Sequence, residues 1–569
     1  MKVHDSRRFT GINIALDRPG AVIEVELEGD AADDAIRVWR EQARRILDAV
    51  GWADQQTCSR KVEGGIMLAL SAPPDTLYAA TEVNDWAWDA ANAVLSGGDA
   101  PPLNEAADRL SRTIASESNP RLRALAVTAA EHEVAFLHGE DAVTVGLGCG
   151  SKTWPEDDLP NAGMIDWSSV HDVPVGLVTG TNGKSTTVRL TAAIAKAAGR
   201  CPGLCSSDWV RVGDEILEAG DFSGPGGARA ALRDHRTEIA LIEVARGGLM
   251  RRGLAVSRAD AALITNITAD HLGDFGFHDV AALADAKFVV ARAVACGQLL
   301  LNADDAILAA RGPALDRAVI WFGLGPESDP AASSFIADDH FVALENGRRQ
   351  AVLPVADFPL GMAGRARHNL ANGVAAIALA RALGLPLSAC AEGLAGFDSG
   401  PSNNPGRGNL FDIGGVTVLV DYAHNPHGVE AILDTAQSLP AARRAVLLGQ
   451  AGDRRDEDIR AMTRVVWRFR PDLIVVKEME SELRGRSLGE VPRLITDELA
   501  RLGVPSEIVR QAPTELDAVR QVFDWARPGD LLLLLVHAQR AEVLDLMSMA
   551  EQNGATGVDF ISGRMRTRT

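Results

Sequence analysis

Long hydrophobic runs are missing from this sequence. Across 569 residues the longest apolar stretch near the end, Leu531 to Val536, is strand-sized, far short of the ~20 residues that a membrane-crossing helix needs. Cysteine is scarce: six residues, at 58, 149, 201, 205, 296 and 390. Cys201 and Cys205 have no second Cys or His pair at zinc spacing, which argues against a structural zinc and for reduced thiols. Positive charge is also in deficit, with 57 Lys and Arg against 77 Asp and Glu and a net charge of −20. That balance speaks against nucleic acid or an anionic membrane surface as partner. Any anionic ligand must be held locally, by Arg, Lys, helix N-termini and metal. No internal repeat or low-complexity tract is present, and residues 1–8 lead into no apolar core of the signal-peptide kind. A cytoplasmic, globular protein of about three domains is the expectation from length and hydropathy.

What the sequence does contain is a phosphate cradle. Val173 to Val178 is an apolar run that reads as a buried parallel strand, and Val188 to Ala195 has helical spacing. Between them stand Gly180, Thr181, Asn182, Gly183, Lys184, Ser185 and Thr186. In that arrangement backbone N–H groups and a helix N-terminus face an anion, the Lys ammonium neutralises it, and a hydroxyl can hold Mg²⁺. One position departs from the general pattern G-x-x-x-x-G-K-[ST]: Val178 stands where the first glycine would be.

From Val173 to about Gly400 strands alternate with helices, which predicts an α/β domain with a doubly wound parallel sheet. Ligands in such sheets gather beyond the carboxyl ends of the strands. Three apolar runs end there in polar residues: Glu243 with Arg246, Asn266 with Asp270 and His271, and Asn302 with Asp304. A second, smaller α/β domain follows the Pro401–Gly408 stretch, its strands ending near Asp421 and His424, Asp453 to Arg455, and His537. Residues 1–165 read as an α+β domain without a chemical signature, in which Ala21 to Leu27 alternates as a half-buried strand does. Gly146 to Gly150 reads as a turn, Trp154 to Val173 as a linker, and the tail from Gln552 as loose. The boundaries are therefore 1–165, 166–400 and 401–569.

Glu243, at a strand end, can bind Mg²⁺ on a nucleotide's outer phosphates together with Ser185; a capping Glu paired with Arg246 or Arg251 is the plainer alternative. His271, beside Asp270, fits metal or phosphate contact or a structural role. Ser223-Gly224-Pro225 can present N–H groups to an acyl substrate or simply begin a helix. Arg454, Arg455, Arg484 and Arg486 can bind an acidic substrate or lie as solvated surface.

These residues together resemble the Mur ligase family. Gly180 to Thr186 is similar to its ATP loop, which also lacks the first glycine. Thr265-Asn266 with Asp270-His271-Leu272 resembles its T-N-x-x-x-D-H-L stretch. Gly364 to Asn372, with His368, Asn369 and Asn372, resembles the segment that lies near the adenine. Asp421-Tyr422-Ala423-His424-Asn425-Pro426 and Gly452-Asp453-Arg454 resemble two further family segments. The similarity is strongest to the cyanophycin synthetase branch, faintly so even at Ser6 to Asn13, although no ATP-grasp domain separates the first region from the second.

The resemblance implies a Mur ligase-like P-loop central domain, a Rossmann-like C-terminal domain, and ATP-dependent amide formation through an acyl phosphate. ATP and Mg²⁺ are the implied cofactors. Amino acids or peptides are the implied substrates, and a homo-oligomer is left open. It implies catalytic roles for Lys184, His271, Lys287, Asp421 and His424, nucleotide contacts for Gly180 to Thr186, Asn266, His368, Asn369, Asn372, Arg407 and Asp421, and metal contacts for Ser185, Glu243 and His271. Lys287 stands where several family members carry a carbamylated lysine; an exposed helical lysine is the alternative. A non-catalytic nucleotide-binding subunit and a motion-coupled P-loop ATPase are the competing readings.

Overall fold

The computed structural model describes residues 1–27, 31–139, 142–325 and 332–553. Its centre is an eleven-stranded sheet. Val175–Thr179 is buried along its whole length between Ile239–Glu243 and Ala261–Ile264, and Gln298–Asn302 follows beside Ala261–Ile264. Both faces of these strands are covered. Val175, Leu177, Ala240, Ile242 and Ile264 belong to one core, and Val178, Leu241, Leu263 and Leu300 to the other. That two-sided burial is why the strands read as continuous apolar runs rather than alternating ones.

The expected doubly wound parallel sheet forms the middle of a mixed sheet. Strands from Pro202–Cys205 through to Ala332–Ala337 pair in parallel, whereas both edges are antiparallel hairpins. At the edge formed by the last two strands the cause is turn chemistry. Asn346 and Gly347 both adopt positive φ between His340–Glu345 and Arg348–Pro354, the requirement of a tight two-residue hairpin turn.

The first region forms a four-stranded antiparallel sheet, in the order Lys2–Phe9, Gly20–Glu26, Gly65–Ser71, Thr57–Val62. Helices Ala32–Ala49 and Leu77–Leu95 cover one face with Trp39 and Trp88. The half-buried expectation fails on the other face. Phe9, Val22, Met67 and Ala69 pack into the same core as Met250 and Leu254 of the central region. Leu254 N–H also donates to the Ile12 carbonyl (2.7 Å), and the Arg7 guanidinium to the Met250 carbonyl (3.0 Å).

The stretch from Trp154 to Val173 is packed rather than a free linker. Leu159, Ala162 and Val170 are buried, and Trp167 stacks on His132 at 4.8 Å. Gly148–Gly150 is one 3₁₀ turn, and a Cβ on Gly148 would lie 2.2 Å from the Thr237 carbonyl oxygen. Residues 554–569 of the tail lie outside the described residues. No helix among the described residues is long and apolar enough to cross a membrane.

The third region is a six-stranded sheet, Arg407–Ile413, Val416–Asp421, Leu531–Leu535, Arg444–Leu448, Leu473–Lys477, Val509–Ala512, with only the first pair antiparallel. Beneath its strand ends lies a buried ion pair between Lys477 and Glu515, both side chains fully buried. The ammonium also donates to the Leu535 carbonyl (2.5 Å) and lies 3.1 Å from His537 Nδ1. An ammonium can only donate, so Nδ1 accepts and Nε2–H donates to the Ala423 carbonyl at 3.1 Å. Burial and the adjacent Lys477 hold that imidazole neutral, far below its ordinary pKa. The network thus props the turn that follows Asp421.

Breaking this pair from one side strands a buried charge. Glu515→Leu should cost about 3–5 kcal/mol, read as a lower urea midpoint of the cooperative step containing this region. The double variant Lys477→Met/Glu515→Leu should cost less than the single one.

Candidate active site

The loop after Val175–Thr179 is shaped by two glycines at positive φ, Gly180 (145°) and Gly183 (86°). Neither position has room for a side chain. A Cβ on Gly180 would meet Thr265 Oγ1 at 1.8 Å, and one on Gly183 would meet Asn372 Oδ1 at 2.2 Å. The neighbouring segment fixes the loop: Thr181 N–H donates to the Asn266 carbonyl, Asn182 N–H to Asn266 Oδ1 (both 2.9 Å), and the Thr265 hydroxyl to the Asn182 carbonyl (2.7 Å). Helix Lys184–Ala197 begins directly after Gly183, so its first N–H groups have no partner within the helix. Lys184 Nζ donates to the Thr181 carbonyl (2.9 Å), and the Ser185 hydroxyl bonds that of Ser207 (3.1 Å).

This loop forms one wall of a cavity of about 500 Å³. Of the residues that the sequence singled out, Thr181 to Thr186, Glu243, Asn266, His271, His368, Asn369, Asn372, Arg407, Asp421 and His424 line it; Gly180 and Lys287 do not. Lys287 lies behind the loop at the end of helix Val280–Lys287, and its ammonium donates to the Gly180 carbonyl at 2.7 Å. It is 5% exposed, which overturns the reading of an exposed helical lysine. Burial, reinforced by Lys184, lowers its pKa well below the usual range.

The third region closes the cavity from the opposite side. Asn425 caps helix Pro426–Ser438, accepting the Gly428 N–H (2.8 Å), while Pro426 takes the first helical position. The amide hydrogens of Asn425 reach Asn182 Oδ1 (3.0 Å) and Asp270 Oδ2 (3.3 Å). Polar atoms of Asp270, His271 and His424 cluster within 4.8 Å of one another. Arg454 sits among them, 3.2 Å from Asp270 and 2.7 Å from His271 Nε2. A guanidinium only donates, so the His271 lone pair is engaged and the guanidinium fills the space that a cation there would take. Burial would raise the Asp270 pKa, but His424, Arg454 and His271 hold it far below the carboxylate range.

Two further groups have shifted protonation. Burial raises the Asp421 pKa to about 6, although its carboxylate accepts the Ala423 N–H at 2.7 Å. Burial, with His427 nearby, lowers His368 to about 4, and its Nδ1 has no hydrogen-bond partner. Ser223 and Asp221 line the cavity, joined by a 2.6 Å hydrogen bond, with Pro225 starting helix Pro225–Arg233. Arg484 pairs with Asp453 and Glu482, and Arg486 with Asp456 and Glu490, so these two arginines are already engaged by carboxylates.

Sequence patterning did not single out Ser207 and Asp208, which follow the four-residue strand Pro202–Cys205. Ser207 lines the cavity, its N–H 3.3 Å from Glu243 Oε2, and its hydroxyl accepts from Arg407 (2.9 Å). Too short for a periodic signal, that strand was marked only by its polar end, Ser206-Ser207-Asp208. Arg540, which pairs with Asp208, was missed as well. It lies past the end of strand Leu531–Leu535, at the first residue of helix Arg540–Gln552.

Comparison with known proteins places this geometry. Residues 178–380 match the Mur ligase middle domain, and residues 406–535 the Mur ligase, glutamate ligase domain. The chain belongs to the Mur ligase family through these two segments. It is 37% identical over 334 residues to the cyanophycin synthetase of Crocosphaera subtropica, covering 57% of this chain and 38% of that protein. It is 34% identical over 372 residues to that of Trichormus variabilis, covering 64% and 41%. The chain thus spans about two fifths of the length of these relatives. A 2,6-diaminopimelate-adding ligase of Listeria monocytogenes is 28% identical over 370 residues, covering 63% and 72%. Among solved structures, a folylpolyglutamate synthase/dihydrofolate synthase from Yersinia pestis aligns at 20% identity, covering 66% and 89%, with a TM-score of 0.48.

Two outcomes follow from the loop and from Asp421. Gly180→Ala places a methyl group against Thr265 in a backbone conformation that alanine disfavours, and should abolish the nucleotide binding proposed below, measured by calorimetry, while the far-ultraviolet spectrum is kept. Asp421 binds its proton more tightly folded than unfolded. The stability that protonation contributes is present below about pH 4 and is lost as pH rises to about 6. The loss should be on the order of 3 kcal/mol, and Asp421→Asn should flatten that part of the stability–pH curve in urea melts.

Proposed function

We propose that this protein is an ATP-dependent amide ligase, which joins a carboxylate of an amino acid or peptide to an amine through an acyl phosphate. The observation that carries this reading is the convergence of the glycine loop and the Asp421–Pro426 segment on one cavity, bridged by Asn182 and Asn425. A motion-coupled ATPase needs no second domain holding a His and an Asp over the outer phosphates.

ATP fits the cavity by its donors. The first N–H groups of helix Lys184–Ala197 and the Lys184 ammonium face the phosphates once Lys184 leaves the Thr181 carbonyl, and the orphaned Nδ1 of a neutral His368 offers a partner to the base. Ser185 and the buried Glu243 carboxylate form an oxygen donor set of the kind Mg²⁺ prefers. Bound there, Mg²⁺ would neutralise charge on the outer phosphates. The substrate carboxylate attacks the γ-phosphorus and ADP leaves, with Lys184 and Arg407 stabilising the charge that develops. The amine then attacks the acyl carbon, loses a proton, and expels phosphate. Asp421 and His424 stand on the side from which the third region approaches and can take that proton. Closure by the third region keeps water from the acyl phosphate.

Likeness to proteins named cyanophycin synthetase supports amino acids or their polymers as substrates. The test is phosphate release from purified protein with Mg-ATP across paired amino acids and β-aspartyl or γ-glutamyl peptides. Release should require one donor and one amine, and Lys184→Ala should lower it by at least about a hundredfold. Release indifferent to every pair would overturn the ligase reading in favour of an ATPase.

A further inference from the structure

Asp208 lies behind the cavity wall, 3% of its side chain exposed, and gathers three guanidinium groups from separate parts of the chain. Arg189 comes from the helix that starts at the glycine loop, Arg407 from the first strand of the third region, and Arg540 from its last helix. Arg189 and Arg540 form close ion pairs with the two carboxylate oxygens, and Arg407 lies 3.5 Å from Oδ2. The stretch that connects the two regions is tied down around this centre as well. Arg189 donates to Asn404 Oδ1 (3.0 Å) and Arg211 to Asn403 Oδ1 (2.8 Å). Arg407 and Arg540 flank the Tyr422 ring at 5.7 and 4.9 Å.

One carboxylate does not neutralise three guanidinium groups. Glu243 also acts on Arg189 and Arg407, and Asp421 on Arg407, but both of these acids line the cavity. Among the described residues Asp208 is thus the carboxylate that pairs with all three cations without itself lining the cavity. The Nε atoms of Arg189 and Arg407 have no hydrogen-bond partner. Of Asp208 and its three arginines only Arg407 reaches the cavity. Buried cations are expensive unless anions complete them, and the anion-facing cavity lies on the Arg407 side.

We propose that Asp208 is a positioning residue: it latches the third region onto the central one and holds Arg407 over the phosphate end of the cavity. The phosphate half of this inference rests on the nucleotide reading above; the latch half does not. Asp208 itself touches no substrate. Its neighbour Ser207 ties the same loop to Ser185, Glu243 and Arg407, so occupancy of the phosphate site and attachment of the third region are read by one turn.

The test uses the full chain in two arms. In small-angle scattering without nucleotide, Asp208→Asn should increase the radius of gyration, and limited proteolysis within 401–406 should become faster. In calorimetry, Asp208→Asn should weaken Mg-ATP binding about tenfold. On an Arg407→Ala background the same change should add less than about twofold, because the two act through one contact. Unchanged scattering and proteolysis would overturn the latch, and a full tenfold loss on the Arg407→Ala background would overturn action through Arg407. Where Asp208→Asn does not fold, Arg540→Ala carries both arms. Absence of Mg-ATP binding by the wild-type protein would overturn the nucleotide reading instead, and scattering alone would then decide the latch.

Discussion

An anion site made of backbone N–H groups works only if those groups stay unpaired and pointed at open space. At Gly183–Lys184, beyond the two N–H groups of Thr181 and Asn182 that Asn266 takes, that condition is met from behind. Two glycines at positive φ let the loop press against Thr265 and Asn372 at distances no side chain would permit. Thr265 and Asn266 then occupy the loop's remaining backbone groups. Lys287, buried below, takes the Gly180 carbonyl. The rest of the central sheet can be understood as the scaffold that brings these three segments to adjacent strand ends.

The same constraint explains how the third region is attached. Asn425 uses its side chain both to cap its own helix and to bond the Asn182 side chain of the loop. A residue that stops being a good cap therefore also stops being a good bridge. Below it the Lys477–Glu515 pair and His537 hold the Ala423 carbonyl. A buried ion pair is a poor source of net stability, and its place directly under the Asp421–His424 turn gives it a geometric task instead.

Much of this was legible in the sequence because the relevant physics is local. Strand, glycine loop, Lys-Ser and helix form a contiguous signature, and fully buried parallel strands are recognisable as apolar runs. The residues Glu243, Asn266, His271 and Asp421 were legible as polar ends of such runs. What escaped was set by turns and by distant partners. The Asn346-Gly347 hairpin was written in the sequence and turns the sheet edge antiparallel, yet it lies between strands of weak alternation. That the first sheet buries both faces could not be read from Ala21 to Leu27 alone, since the second cover comes from Met250 and Leu254. Asp208 and Arg540 are 332 residues apart, and no local pattern announces a pair of that separation.

Charge accounting links these levels. The chain carries a large negative excess, and Lys184, Lys287, Arg189, Arg407 and Arg454 lie buried or half-buried around its cavity. Asp208, Glu243, Asp270 and Asp421 face them, and Asp221, Asp304 and Asp305 line the cavity as well. A site of this kind is held together by carboxylates while it waits, and an incoming phosphate competes for the same guanidinium and ammonium groups. Binding then need not create new cations; it redistributes existing ones, from protein carboxylate to ligand oxygen. Such an exchange keeps the desolvation of each cation constant as the ligand enters, which suits a site that must both hold and release a highly charged molecule.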